Sequence, residues 1–258
     1  MSGHLQVVEP FVCGLELGRI NAPAALAILN RTPGATEQAP VSHTLIYLHR
    51  WPAGTAYPLI VRAANAIMHL KPIAPDDGRR FDPMGRVTGI EVRTGMAAVV
   101  VNATGVGRAA LELLRDVAPD LRTVATWVTT GDLALEVTEG WRVPQRDLVA
   151  AVQVLQEQDR LDVDEDLDEY ADFVEQMDGF KVERGPRGRD TYDPEEGAEL
   201  VMAVALAAWW GELVSPGRVE LVADAISYQE ALASEIRKRR RSSGPLKRDL
   251  GPSVDGIG

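Results

Sequence analysis

A strand that turns through a glycine-rich loop into a helix, and then into a second strand, constrains the fold of this chain most strongly. The stretch comprises the apolar run Ala97–Val101, the turn Ala103–Gly107, a helical segment to about Val117 and the apolar run Leu121–Thr129. Parallel strands need a long crossover connection, usually a helix, so this order predicts a parallel βαβ unit. The sequence therefore predicts an α/β fold, with a sheet covered by helices.

The segments before this unit fit the same class of fold. Three short apolar runs, Phe11–Leu17, Ala24–Leu29 and Thr44–His49, are joined by turns rich in Asn, Pro and Gly, which predicts a three-strand meander. Apolar residues recur at helical spacing from Tyr57 to Leu70, which predicts a helix. Residues 72–95 are rich in proline, glycine and charge, and we interpret them as an insertion containing a small hairpin.

The second half of the chain is predicted to be mainly helical. We expect a helix from about Gln145 to Gln158, with Pro144 at its beginning. A second, almost wholly apolar helix is expected over Gly197–Leu213. The acidic stretch after Arg160 is interpreted as a strand end followed by a helix. His43 has no neighbouring cysteine or nucleophile motif, and we expect it at the surface or at a sheet edge.

The chain divides into three predicted parts. Residues 1–214 form the α/β domain, 215–241 an added C-terminal helix and 242–258 a disordered tail. The added helix carries an apolar stripe that could form a homo-oligomer. This stripe consists of Val219, Leu221, Val222, Ala225, Ile226, Leu232 and Ile236.

Charge is distributed unevenly along the chain, whose net charge is -11. Seven basic residues and no acidic one lie between Arg237 and Arg248, so the residues before 237 carry 20 basic against 36 acidic side chains, a net charge near -16. So acidic a body repels phosphate backbones unless metal ions or a local basic patch intervene. The expected nucleic-acid contacts of this region form a basic cluster at the end of the added helix: Arg237, Lys238, Arg239, Arg240 and Arg241.

No segment predicts export or membrane insertion. The N-terminus MSGHLQVVEP lacks the basic and apolar regions of a secretory signal. The longest apolar run, Leu200–Gly211, is shorter than the ~20 residues that span a bilayer. A single cysteine, Cys13, excludes an intramolecular disulfide. We expect a cytoplasmic protein without a membrane partner.

Four separated segments form one pattern. They are CGLELGRINAPAALAIL from Cys13, VVNATGVGRAALELL from Val100, GWRVPQRDLVAAVQVLQEQDRL from Gly140 and TYDPEEGAELVMAVALAAWW from Thr191. In this order and spacing they resemble the nuclease domain of the large terminase subunit of tailed phages, which cuts concatemeric DNA during head filling. The resemblance spans Phe11–Leu213 and implies a ribonuclease H-like mixed sheet flanked by helices.

The resemblance also implies a metal site. The family carries an Asp on strand one, a second acid before Ala-Thr-Gly-Val-Gly and an Asp pair that opens the last helix. These acids hold two divalent ions, one activating water and the other stabilising the leaving oxygen. The matching residues here are Glu16, Asn102 and Glu199, which are therefore the candidate catalytic and metal-binding residues. Oxygen ligands of this kind suit Mg or Mn.

Every one of these positions departs from the family pattern. Two carboxylates and a neutral amide offset the charge of two divalent ions poorly, and each Glu is longer than the expected Asp by one methylene group. Asn102 retains the polarity of the strand end and can form the local hydrogen bonds of a tight turn. We therefore expect an inactive or weakened nuclease, with Mg or Mn as cofactor if it is active and with none otherwise.

By resemblance, the protein belongs to a phage or prophage-derived DNA packaging or particle system, in the host cytoplasm or in the virion. The chain contains no G-x-x-x-x-G-K-[ST] loop, so we do not expect a translocating motor. The expected partners are packaging or particle proteins and double-stranded DNA. Arg146 and the basic cluster Arg237–Arg241 would contact the DNA. Two alternatives remain: an active Mg- or Mn-dependent DNA endonuclease, and an oligomeric structural module built through the added helix.

Overall fold

An eight-stranded mixed sheet forms the centre of the molecule. We describe it from a computed structural model covering residues 10–18, 22–32, 34, 39–70, 73, 79–81, 87–90, 97–179, 183–184, 190–191 and 197–214. The strands are β1 (Phe11–Glu16), β2 (Ala24–Thr32), β3 (Ser42–Trp51), β4 (Arg79–Phe81), β5 (Val87–Ile90), β6 (Ala97–Asn102), β7 (Arg122–Thr129), β8 (Leu135–Val137), β9 (Gly140–Pro144), β10 (Leu161–Val163), β11 (Glu183–Arg184) and β12 (Asp190–Thr191). The helices are α1 (Tyr57–Met68), α2 (Gly107–Val117), α3 (Gln145–Glu157), α4 (Tyr170–Gly179) and α5 (Glu199–Val214).

The order of strands across the main sheet is β10-β3-β2-β1-β6-β7-β9-β8. Strands β1, β6, β7 and β9 run parallel to one another, whereas β2 is antiparallel to both β1 and β3. Strand β10 pairs in parallel with β3, and β8 pairs antiparallel with β9. The pairs β4–β5 and β11–β12 form separate two-stranded sheets. The sheet is therefore mixed, with a parallel centre.

Helices cover both faces of the sheet. Cys13 points toward α1, with its Sγ 3.1 Å from Sδ of Met68, while the next residue, Gly14, lies against α5. Successive strand residues point to opposite faces, so α1 and α5 lie on opposite sides of β1. Helix α2 packs with α1, and α3 and α4 pack with α5. Burial on both faces explains why β1, β2 and β6 are almost continuously apolar.

Helix α5 is the most deeply buried helix described. Every residue from Leu200 to Gly211 is buried, because the sheet, α3 and α4 surround this part of the helix. Its backbone approaches β1 closely: a β-carbon added at Gly14 would lie 1.9 Å from the carbonyl oxygen of Ala203. Glycine at this position therefore sets the spacing between β1 and α5. None of the helices described has the length and apolarity that crossing a membrane requires.

Most predicted elements of residues 1–214 are confirmed. The α/β class, the three-strand meander, the parallel βαβ unit and the apolar last helix are all present, and the predicted insertion contains the β4–β5 hairpin. The predicted helix at 215–241 and the tail at 242–258 lie outside the described residues, so these two predictions stay untested.

Three predictions were wrong or incomplete. Residues 135–144 form the β8–β9 hairpin, which was not predicted, and Pro144, expected at the start of a helix, ends β9 before α3 begins. A strand end was predicted after Arg160, and the structure has the edge strand β10 there. The pairing of β10 with β3 was not predicted. His43, expected at the surface or at a sheet edge, is completely buried, because β10 pairs with β3 at this residue and Gly211 of α5 lies against its ring.

Candidate functional site

Strand register places five side chains in one row across the sheet. Glu16 pairs with Ala25, and Ala25 pairs with Arg50, across β1, β2 and β3. On the other side, β6 ends at Asn102, which pairs with Thr126 of β7. Residues opposite one another on neighbouring strands share a face of the sheet. Segments far apart in the sequence therefore bring Glu16 and Asn102 together at the carboxyl ends of two parallel strands.

This row lies on the face of the sheet that α5 covers. Gly14 contacts α5, and Glu16 is two residues further along β1, so both point to the same side. Glu199 is the first residue of α5 and lies one turn before Ala203, the residue that Gly14 contacts. The close approach of β1 and α5 therefore also brings Glu199 toward Glu16.

Asn102 binds the carboxylate of Glu16 through its amide nitrogen. The Nδ2 group donates to Oε2 of Glu16 at 2.8 Å and to Oε1 at 3.1 Å. Its Oδ1 accepts a hydrogen bond from the backbone N–H of Thr104 at 3.0 Å. That backbone donor fixes which end of the amide faces Glu16, because a reversed amide would place its NH₂ group against an N–H. Asn102 therefore closes the turn and directs two donors at a carboxylate.

The turn itself is anchored to the next strand. Thr104 Oγ1 accepts a hydrogen bond from the backbone N–H of Val128 in β7 at 2.8 Å, and the N–H of Ala103 donates to the carbonyl of Thr126 at 2.9 Å. Gly105 has φ of 61°, a conformation that glycine adopts at little cost. The position of Asn102 is consequently fixed by the strand before the turn and by the loop after it.

Glu199 is held by a glutamine from α4. It is only 7% exposed, and its Oε1 accepts a hydrogen bond from Nε2 of Gln176 at 3.1 Å. The Oε1 of Gln176 accepts from the backbone N–H groups of Leu200 and Val201, at 3.0 and 3.3 Å. These N–H groups belong to the first turn of α5, which has no earlier carbonyls to bond. A carboxylate is also favoured at the positive end of a helix.

Arg50 completes the site and was not foreseen from the sequence. Its Nη1 lies 3.5 Å from Oε1 of Glu199, and its Nη2 lies 3.5 Å from Oε2 of Glu169 and hydrogen-bonds to Oδ2 of Asp172. Its backbone N–H also donates to Oε1 of Glu169 at 3.3 Å. The one signal available was a charged residue inside the apolar strand that carries Tyr47. A charge in such a strand needs a partner from another element.

Burial shifts Glu16 toward its neutral form, whereas neighbouring carboxylates keep Arg50 charged. Burial raises the pKa of Glu16 to about 7; the hydrogen bond from Asn102 lowers it, and the negative charge of Glu199 raises it further. For Arg50, burial alone would lower the pKa, but the carboxylates of Glu169, Asp172 and Glu199 outweigh burial and raise it. The site therefore contains a permanent cation and one carboxyl group whose pKa is raised to about 7.

These residues do not fit a pair of divalent ions. Both oxygens of Glu16 accept from an amide, Oδ1 of Asn102 accepts from a backbone N–H, and Glu199 faces a guanidinium and a second amide. Metal ligands must instead point lone pairs at the ion. Within the part of the chain that the structure describes, no three His, Cys, Asp or Glu side chains form a metal-binding group.

The other predicted contact residues are not joined to this cluster by any contact seen among the described residues. Arg146 lies in the first turn of α3, where its guanidinium hydrogen-bonds to the carbonyl of Asp132 and lies 3.4 Å from Oδ1 of Asp147. The basic cluster Arg237–Arg241 lies outside the described residues. Nucleic-acid binding by Arg146 and by this cluster stays a prediction.

The sequence matches no protein-family model and no curated protein. Similar solved structures include the large terminase nuclease of thermophilic phage G20c with bound magnesium, at 17% identity and a TM-score of 0.47, covering 80% of this chain and 84% of that one. Another is the large terminase of bacteriophage HK97, at 11% identity and a TM-score of 0.47, covering 81% of this chain and 40% of that one.

Proposed function

We propose that this protein is a terminase-nuclease-like component of a phage or prophage-derived DNA packaging or particle system, and that it acts by binding protein or DNA without hydrolysing DNA. The observation that carries the proposal is the amide of Asn102 bound to both oxygens of Glu16. An N–H donor occupies the space in which a metal ion would have to lie between these two residues. The site then lacks the means to activate water by a metal.

The charge of the site supports the same proposal. Two divalent ions would bring four positive charges next to the guanidinium of Arg50, which already offsets the negative charge of Glu169, Asp172 and Glu199. Burial raises the pKa of Glu16 to about 7, so this carboxyl group offers less negative charge near neutral pH than an exposed glutamate does. Uncompensated charge in a partly buried site is strongly unfavourable. We infer that phosphodiester hydrolysis by two metal ions is lost.

The charge of the whole chain favours protein partners over bare DNA. Its net charge of -11 opposes association with a phosphate backbone, so any DNA contact has to be local and basic. Packaging or particle proteins are therefore the proposed principal partners. Double-stranded DNA is a second one, through Arg146 and Arg237–Arg241.

The proposal is tested by nicking of supercoiled plasmid DNA. We expect purified wild-type protein in millimolar Mg or Mn to nick no more plasmid than the double variant Glu16→Ala, Glu199→Ala, because neither protein can hold the ions that the reaction needs. Magnesium is the first ion to use, since it is the ion bound in the G20c nuclease. The readout is conversion of supercoiled to open-circular DNA over several hours, on protein that size-exclusion chromatography shows to be monodisperse.

An active Mg- or Mn-dependent endonuclease is the alternative, and one observation favours it. Glu16 and Glu199 come from opposite ends of the chain, yet they lie close enough for the charge of one to raise the pKa of the other. Carboxylates that lie close together can hold the divalent ions of metal-dependent hydrolysis. Nicking by the wild type that disappears in the double variant would establish this alternative and refute the proposal.

A further inference from the structure

We infer that Arg50 acts as a built-in cation for this site and thereby makes its folding independent of divalent metal ions. The inference deepens the proposed function and rests on it, because it explains how the fold tolerates its remaining carboxylates without a metal. Arg50 is a positioning residue here, since it orders the carboxylates and carries out no reaction.

The contacts of Arg50 tie three elements together. Its guanidinium reaches Glu199 at the start of α5, Asp172 in the first turn of α4, and Glu169 just before α4. A planar guanidinium can donate to several carboxylates at once in fixed directions, which a compact ammonium group cannot do. One side chain on β3 therefore fixes the beginnings of both helices against the sheet.

The register of the sheet explains how Arg50 reaches Glu199. Arg50 is two strands away from Glu16, about 10 Å across the sheet, and Ala25 lies between them on the same face. Because the side chain of Ala25 is a single methyl group, no long side chain stands between Arg50 and Glu16 in this row. The backbone of Arg50 is held by the hydrogen bond that its N–H donates to Oε1 of Glu169.

Burial explains why a cation is required at this place. The side chain of Glu199 is 6% exposed and that of Glu169 is 18% exposed, so water compensates their charges poorly. Removing one partner of a buried ion pair leaves the other charge unpaired, which destabilises a protein far more than loss of a surface pair. A divalent ion would meet the same need in a metal-dependent relative. In this chain, the guanidinium of Arg50 supplies the positive charge as a permanent part of the protein.

The test is thermal unfolding of wild type and of Arg50→Met, each with a chelator and with millimolar Mn. We expect the melting temperature of the wild type to be the same in both solutions. In chelator, Arg50→Met should melt roughly 5 °C lower, a shift of the size that loss of a charge-assisted contact produces in a domain of this length. Because its carboxylates then lack a cation, Mn should restore part of that loss.

Three further variants make the test specific. Arg50→Lys keeps the charge, so it should melt between wild type and Arg50→Met and show little response to Mn. Adding Glu199→Gln to Arg50→Met removes the unpaired carboxylate, so the double variant should lose less than the sum of the two single changes. Arg108→Met breaks an exposed pair with Glu112 and should shift the melting temperature by less than about 1 °C.

The outcomes separate this inference from the proposed function. If Mn raises the melting temperature of wild type as much as that of Arg50→Met, or if Arg50→Met behaves like Arg108→Met, the inference is wrong. Either result without plasmid nicking leaves the proposed function standing. Stabilisation of wild type by Mn together with nicking would overturn both.

Discussion

Replacement of Gly14 by alanine is expected to lower the free energy of unfolding by about 3 kcal/mol or more. The new β-carbon would lie 1.9 Å from the carbonyl oxygen of Ala203 and 3.0 Å from the backbone nitrogen of Ala207. Both atoms belong to the backbone of α5, so no side chain can rotate away to make space. The helix would have to move from the sheet by more than 1 Å, and it would lose close packing along its buried length.

Gly179→Ala is the matched control for this change. Gly179 ends α4, has no atom within 4 Å of an added β-carbon and does not have a positive φ. The control should therefore change the free energy of unfolding by less than about 1 kcal/mol. Urea denaturation of the three proteins, followed by circular dichroism, gives the comparison. Equal stability of the two variants would show that α5 does not depend on its close approach to β1.

Removal of the charge at position 16 should make the protein more stable at high pH. The pKa of Glu16 is about 7 in the folded protein and 4.5 in its ordinary state, so between these values the folded chain binds more protons than the unfolded chain. The contribution of Glu16 to the free energy of unfolding therefore falls as pH rises from about 4.5 to 7, and it stays low above pH 7. Glu16→Gln does not titrate, and its Oε1 still accepts a hydrogen bond from Asn102.

We expect the stability difference between Glu16→Gln and wild type to be small at pH 4.5 and to grow to at most about 3 kcal/mol at pH 8. The measurement is urea denaturation at four pH values across this range, with both proteins in the same buffers. Glu112→Gln is the control, because Glu112 is an exposed residue of α2. If the curves of wild type and Glu16→Gln run parallel with pH, then Glu16 is not desolvated as the structure indicates.

Local patterns in the sequence were sufficient to predict the main elements of the fold. The βαβ unit at residues 97–129 and the apolar helix α5 have strong periodicity or composition, and these depend on neighbouring residues alone. Strands β8 and β10 have three residues each, too few for a pattern to emerge. They exist because an adjacent strand offers free backbone groups, which is a property of the folded sheet.

Part of the site could likewise be predicted from the sequence, and part could not. The four motifs led to Glu16, Asn102 and Glu199, and the structure places these near one another at one end of the sheet. Arg50 belongs to no motif, and its contacts depend on the register of three strands and on where α4 begins. The direction of the Asn102 amide likewise depends on a backbone N–H two residues away. Sequence patterns can therefore indicate which residues meet at the site, but not which hydrogen-bond donors surround their side chains.

The burial of α5 also determines when this chain can fold during its synthesis. Strand β1 is made near the beginning of the described chain and α5 at its end, yet the two are in contact along the centre of the core. At typical elongation rates the ribosome needs roughly 10–40 s to pass from one to the other. During that interval the face of the sheet that carries Val12, Ala27 and Val100 has no helix α5 to cover it. The nascent chain therefore cannot complete its hydrophobic core until α5 has been synthesised and has left the ribosome.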